Sequence, residues 1–360
     1  MGGKVALRGT DGPGVVEEAR RRGAVAIAPE RARRALARVM VPLADIDILT
    51  GRGELGETVV RALGFRLSLV GDGLKSVTTA DDTRATATEM LTRGVDLILF
   101  AGGDGTARDI FDVVGSRVPI LGVPTGVKMH SAVFATNPEN AGDVAGRFMT
   151  DPKASACLRD AEIMDADEPL RQGPRVSAHL FGYARVPYER SRVQHAKAAA
   201  PHDADAALDG LCKKIADSLE SGCLYLFGPG TTTQTIMLYA GIEGTLLGID
   251  AVRDGRAIGL DLDERAILAL IEGRQTRIVI SVVGGQGCLF GRGNQQISAE
   301  VIKRVGRDGI LVVSSLDKIL ALSDRGLFVD TGDTEADSML AGYIRVEVTP
   351  DQSVICRVSS

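Results

Sequence analysis

Tryptophan is absent and aromatic residues make up only 4% of the 360-residue chain, so the stacking platforms used by readers of single-stranded nucleic acid are scarce. Basic residues are not in excess: 42 Lys and Arg face 47 Asp and Glu, for a formal charge of −5. That balance gives no net positive field for a polyanion and argues against nucleic acid as a partner. The five cysteines, Cys157, Cys212, Cys223, Cys288 and Cys356, are odd in number and form no C-x-x-C pair. They read as reduced thiols, with no structural zinc expected. No run approaches the ~18 apolar residues of a membrane span, and MGGKVALRGT lacks the apolar core of a secretory signal. A cytoplasmic protein without a membrane partner is expected. No Walker loop, G-x-S-x-G elbow or H-E-x-x-H pair occurs, which removes the commonest nucleotide, acyl-transfer and zinc-protease signatures.

What the chain has in quantity is glycine, 43 residues or about 12%, against a usual ~7%. Its length allows about two domains. Short β-branched runs at 46–49, 65–70, 95–101 and 118–123 alternate with helical patterns at 54–63, 80–92 and 106–114. This is the order of successive βα units around a mostly parallel sheet. The almost continuously apolar VDLILFA predicts a central strand covered on both faces. Asn137-Pro138 predicts an N-cap with Pro in the first turn of a helix to about 149. A nucleotide-binding α/β domain is therefore expected over 1–152, and a mixed α/β domain with a β-rich insert over 153–360. In the second domain, strands are expected at 223–227, 245–249 and 277–283, and helices at 204–219, 231–239 and 264–272.

Four glycine loops fall at the carboxyl ends of predicted strands, the edge where open α/β sheets take ligands. In the first, Gly102, Gly103, Gly105 and Thr106 surround Asp104, and small residues before a helix let amides approach phosphate. A carboxylate in such a cradle binds a metal, accepts a hydroxyl proton or hydrogen-bonds a sugar; alternatively, Asp104 caps its helix. The second loop, GVPTGVKMHS, offers Gly126, Lys128 and His130, either to phosphate or base, or as solvated and structural residues. The third supplies Gly228, Gly230, Thr231 and Thr232, hydroxyls that serve equally as caps and as phosphate donors. The fourth offers Gly285 and Gln286, then Arg292 and Asn294, either to a ligand or as a surface turn. Asp330 and Asp333 follow an apolar run, and suit a hydrated Mg²⁺, sugar hydroxyls or a strand-end turn. Asp165, Asp167 and Glu168 read as a solvated turn, and His195 and His202 lack a third ligand. No metal site built from protein groups alone is expected.

GGDGT after an apolar strand resembles the signature of NAD kinases and their diacylglycerol- and sphingosine-kinase relatives. With GVPTGVKMHSAVFATNPENAG, GPGTTT, GGQGCLFGRGNQQIS and VDTGD, the chain is similar to the ATP-NAD kinase-like branch that includes the acetoin catabolism protein X. The resemblance implies a two-domain NAD kinase-like fold and transfer of the terminal phosphoryl of ATP, with Mg²⁺, to a hydroxyl. In NAD kinases that hydroxyl is the 2′-hydroxyl of the adenosine ribose of NAD. It makes Asp104 the proton acceptor, puts Gly102, Gly103, Gly105 and Thr106 around phosphate, sets the site between two domains, and implies a homo-oligomer. The last segment is expected to pack back on the first domain. The alternatives are a nucleotide-binding regulatory protein of acetoin or related catabolism without catalysis, and a kinase of another small metabolite. Three departures stand out. The chain begins MGGKVALRGTDG where relatives carry a strand and an N-P-x-A-G-type turn. EIMDAD lacks the Asn of the dinucleotide-binding motif. The second half reads α/β where NAD kinases have a β-sandwich.

Overall fold

The computed structural model describes residues 2–7, 14–39, 46–71, 78–126, 129–166, 178–189, 204–282, 287–322 and 326–360. Lys128, Gly285, Gln286, Asp167, Glu168, His195 and His202 lie outside them. The chain forms two compact units, one of residues 25–196 and one of 1–24 with 197–360. The expected boundary at 152 lies within the first of these units. α1 (Val15–Arg21) goes with the second unit.

The 25–196 unit opens with α2 (Ala28–Ala37), β1 (Ile48–Gly51), α3 (Glu57–Ala62), β2 (Leu67–Val70) and α4 (Ala80–Thr92). Thr79 and Asp82 close a capping box at the start of α4, two orphan amides satisfied reciprocally. There follow β3 (Ile98–Gly102), α5 (Asp104–Val114), β4 (Ile120–Pro124), α6 (Pro138–Thr150), α7 (Pro152–Ala156), β5 (Leu158–Ala166) and β6 (Ala178–Pro187). Asp151-Pro152 opens α7, with Asp151 as its cap. β1 pairs with β2, and β3 with β4, both in parallel; among the described residues these are separate two-stranded sheets, not one sheet of four.

Alternate residues of β3 serve two cores. Ile98 and Phe100 pack with Ala107, Ile110 and Val114 of α5, while Leu99 and Ala101 face Ala35 of α2 and Ala141, Val144 and Ala145 of α6. This is the doubly covered strand expected from VDLILFA. The antiparallel β5–β6 pair also belongs here. Ala161, Ile163, Ala184 and Val186 share the core of Ile98 and Phe100. Residues 131–135 run between β4 and β5, with Ala132 N–H donating to Glu162 O at 2.8 Å and Gly122 N–H to Val133 O at 2.9 Å. Because a Cβ on residue 122 would stand 2.2 Å from the Phe134 ring, only glycine permits this approach.

The other unit is a mixed sheet. Its elements are α8 (Ala204–Asp217), β7 (Leu224–Phe227), α9 (Thr231–Tyr239), β8 (Asp250–Arg253), β9 (Arg256–Gly259), α10 (Glu264–Ile271), β10 (Thr276–Ser281), β11 (Cys288–Phe290) and α11 (Ala299–Val305). β12 (Ile310–Val313), α12 (Leu316–Leu322), β13 (Leu327–Val329), α13 (Thr334–Leu340), β14 (Gly342–Thr349) and β15 (Gln352–Ser359) complete it. The hydrogen-bonded order among the described residues is β11-β13-β15-β14-β12-β10-β7-β8-β9. Helices cover both faces. Leu224 and Leu226 of β7 pack with Ile267, Ile271, Val301 and Ile302, while Tyr225 and Phe227 pack with Leu211, Ile215, Ile236 and Met237. The last two strands lie within this sheet.

Residues 245–249 are not the expected strand. The buried Asp250 carboxylate accepts the Thr245 N–H at 2.6 Å and hydroxyl at 2.9 Å, and the Asp261 N–H at 2.9 Å. These bonds fold an apolar run into a turn, so its β-branched pattern misleads. No helix among the described residues is long and apolar enough to cross a membrane.

Candidate active site

Parallel pairing brings the ends of β3 and β4 level, with Gly102 opposite Pro124. The first two glycine loops therefore leave the sheet side by side. Gly102 permits a tight exit: a Cβ there would lie 2.5 Å from Thr106 Cβ. Thr125 N–H donates to Gly102 O at 3.1 Å. A Cβ on residue 126 would sit 3.3 Å from Gly103 Cα and 2.9 Å from Met129 Cγ. The loops thus meet backbone to backbone, leaving amides where side chains would otherwise stand.

Gly103 is the N-cap of α5 and supplies no side-chain cap. Asp104, in the first turn, does not cap its own helix. Its Oδ2 accepts the His130 N–H at 2.7 Å and its Oδ1 accepts the Ser131 N–H at 3.0 Å. The side chain thus ties the first loop to the second and stays partly exposed. Ser131 is buried; its hydroxyl accepts the Met164 N–H at 3.0 Å, which anchors this end of the loop to β5. An ionised carboxylate has about four acceptor positions. The two amides fix its plane and leave capacity for a further donor. Gly105 and Thr106 continue the first turn of α5, where amides lack acceptors within the helix and the dipole favours an anion.

In the other unit, the third loop also stands at the carboxyl end of a parallel strand. Gly228 lies against Ile280, and Gly230, at φ 136°, donates its N–H to Leu246 O at 2.9 Å. Of the three threonines, Thr232 and Thr233 are buried and Thr231 is exposed. Thr233 donates to Gly230 O at 2.9 Å, a turn-stabilising role. The loop adjoins the end of β10, because a Cβ on Gly230 would stand 3.1 Å from Ser281 Oγ.

The other described candidates have partners within the fold. Asn294 donates to Leu289 O at 2.7 Å and accepts the Gly291 N–H at 3.0 Å, folding its loop onto β11. Arg292, 4% exposed, has its guanidinium 3.8 Å from the Asp330 carboxylate and over the Phe328 ring. Gly291, at φ 97°, is pressed against the Asp330 carbonyl, 1.8 Å from where a Cβ would be. Four strands separate β11 from β10 in the sheet order, so the Arg292 loop does not adjoin the Gly228 loop along the sheet. Asp333 caps α13 by accepting the Ala336 N–H at 2.9 Å and pairs with Lys303. The amide and then the ammonium hold its carboxyl below the usual range. Among the described residues, no cluster of three or more His, Cys, Asp or Glu side chains is arranged to hold a metal ion.

Two groups escaped the sequence analysis. Ser131 lies inside a recognised loop, but its partner is a backbone amide 33 residues away. Arg31, buried on α2, donates to Pro124 O at 2.8 Å. Its only signal is the recurrence of Arg31, Arg34 and Arg38 on one helical face.

Comparison with protein families gives two matches, the ATP-NAD kinase N-terminal domain over residues 14–153 and the ATP-NAD kinase C-terminal domain over residues 220–358. Comparison with curated proteins and with solved structures gives no match. The glycine cradle around Asp104 lies within the first matched region and the Gly228 and Asn294 loops within the second; the chain belongs to the ATP-NAD kinase family, whose chemistry is ATP-dependent phosphoryl transfer.

Proposed function

We propose that this protein phosphorylates the 2′-hydroxyl of the adenosine ribose of NAD, using ATP as donor. The observation that carries the reading is the Asp104 carboxylate, oriented by the His130 and Ser131 amides at the meeting point of two glycine loops. Phosphoryl transfer requires positioning, charge neutralisation and a proton acceptor. The first turn of α5, whose amides lack acceptors within the helix, supplies donors for the phosphates. Asp104 accepts the proton as the acceptor oxygen bonds to the terminal phosphorus, the bridging P–O bond breaks, and ADP leaves. Mg²⁺ would neutralise triphosphate charge when bound, with phosphate oxygens and waters able to supply most of its shell.

The test is incubation of purified protein with ATP, Mg²⁺ and NAD, with NADP measured by mass spectrometry. Formation of NADP and ADP in equal amounts is expected. ADP formed only with a different hydroxyl compound would overturn NAD as acceptor. ATP binding by calorimetry without product across a panel of acceptors would favour a regulatory protein without catalysis.

A further inference from the structure

We propose that Arg31 is a positioning residue for the phosphate cradle, fixing the second glycine loop where it leaves β4 while Asp104 fixes it at His130 and Ser131. The proposal deepens the kinase reading and rests on the cradle described for it.

Pro124 ends β4 opposite Gly102, and its carbonyl receives the Arg31 Nη1–H at 2.8 Å. The next residue, Thr125, donates to Gly102 O, and Gly126 then meets Gly103. The Pro124 carbonyl is therefore the strand's last anchored group before the chain crosses to the first loop. The Asp104 bonds to His130 and Ser131 secure the far end. One cation and one anion hold the two ends of the loop, each through backbone groups.

Arg31 can act as a fixed point because its helix is itself fastened. Gly142 of α6 lies under the backbone of α2, where a Cβ would come within 1.9 Å of Ala35 O. Arg34 pairs with Glu139 at 2.7 Å, and Arg38 reaches both Asp143 oxygens at 3.1 and 3.2 Å. Arg31, Arg34 and Arg38 thus share a helical face; two engage carboxylates of α6, and the third enters the edge of the β4 loop. Arginine suits this place because its planar fork stays charged at all working pH values and orients several donors at once.

The test compares wild-type protein with R31M and R31K as full-length chains, using residue-resolved hydrogen exchange together with ATP kinetics. A hydrogen bond from a charged group changes an equilibrium by about ten- to a hundredfold. R31M is expected to speed exchange at the Thr125, Gly126, His130 and Ser131 amides by that factor and to leave the Leu226 amide of β7 unchanged. The KM for ATP rises by a similar factor, kcat falls less than about threefold, and R31K recovers part of the loss. Unchanged exchange at the loop amides would overturn the proposal, as would a uniform acceleration that includes Leu226. If R31M does not fold, R31K carries the test, with faster exchange confined to the same four amides expected and wild-type exchange there overturning the proposal. Faster loop exchange in R31M together with no phosphoryl transfer by the wild type would sink the kinase reading and leave the positioning role of Arg31 standing.

Discussion

Replacing Asp104 by Asn separates the loop-joining role that the structure shows from the proton acceptance proposed for this side chain. In the native chain each carboxylate oxygen receives one amide hydrogen, from His130 at 2.7 Å and from Ser131 at 3.0 Å. An Asn carboxamide has one oxygen and one NH₂, so either rotamer turns a donor toward one of those amides. One charge-assisted bond is lost, and the other becomes a neutral one. A hydrogen bond to a charged group contributes about 1.5–3 kcal/mol; discounted for the partial exposure of this side chain, the expected loss is about 1–2 kcal/mol. For a unit of this size that corresponds to a fall in Tm of about 2–8 °C. Loss of the proton acceptor lowers kcat by about 10²-fold or more. Calorimetry and NADP formation measure the two effects on one preparation, with ATP affinity as a third readout. An unchanged Tm in D104N would refute the loop-to-loop bonds; a kcat within a fewfold of wild type would refute proton acceptance.

Gly142→Ala places a methyl group where Ala35 O now lies, 1.9 Å from the built Cβ; chemical denaturation is expected to show a loss of about 1–3 kcal/mol from overpacking. Asn294→Ala removes both bonds that fold the 291–294 loop onto β11, and a loss of about 1–3 kcal/mol is expected with ATP affinity unchanged; weakened ATP binding at unchanged stability would restore a ligand role to this residue. Cysteine labelling should follow burial: Cys157 is exposed, whereas Cys212 is buried, its thiol pushed up to about 11 by loss of solvation and then by the Asp209 charge. Because the thiolate is the nucleophile, native alkylation at pH 8 followed by peptide mapping should mark Cys157 and spare Cys212, and rapid labelling of Cys212 would contradict its placement.

Much of the architecture is legible because it depends on local patterns. The helices at 80–92 and 231–239 have the bounds their sequence predicts: the Thr79–Asp82 capping box opens the first, and Gly230, at φ 136°, turns the chain into the second. β3 begins and ends later than the apolar run suggests, at Ile98 and Gly102. Its pairing with β4 extends into the glycine loop, and backbone pairing does not depend on hydrophobicity. The β5–β6 pair reads as an insert of the second half, yet its inward residues complete the core beside Phe100; two strands cannot bury a face alone, and nothing in their composition says which core completes it. The Asp250 turn is illegible for the opposite reason. One buried carboxylate gathers donors from both sides of residues 245–249 and overrides their strand propensity.

The candidate site shows how a polar residue in a glycine loop divides between recognition and construction. Asn294 and Asp104 both stand among glycines after an apolar strand, and residue type alone recommends both. Asn294 turns both ends of its amide to its own loop and strand and is buried, so a ligand could reach it only by breaking the turn. Asp104 also bonds to backbone, but each oxygen takes one amide from a loop 26 residues away in sequence, and the carboxylate keeps acceptor positions toward solvent. The distinction lies in what is left over: Asn294 spends both ends of its amide on its own loop and strand, whereas Asp104 holds two separate loops together and still has lone pairs for a further donor.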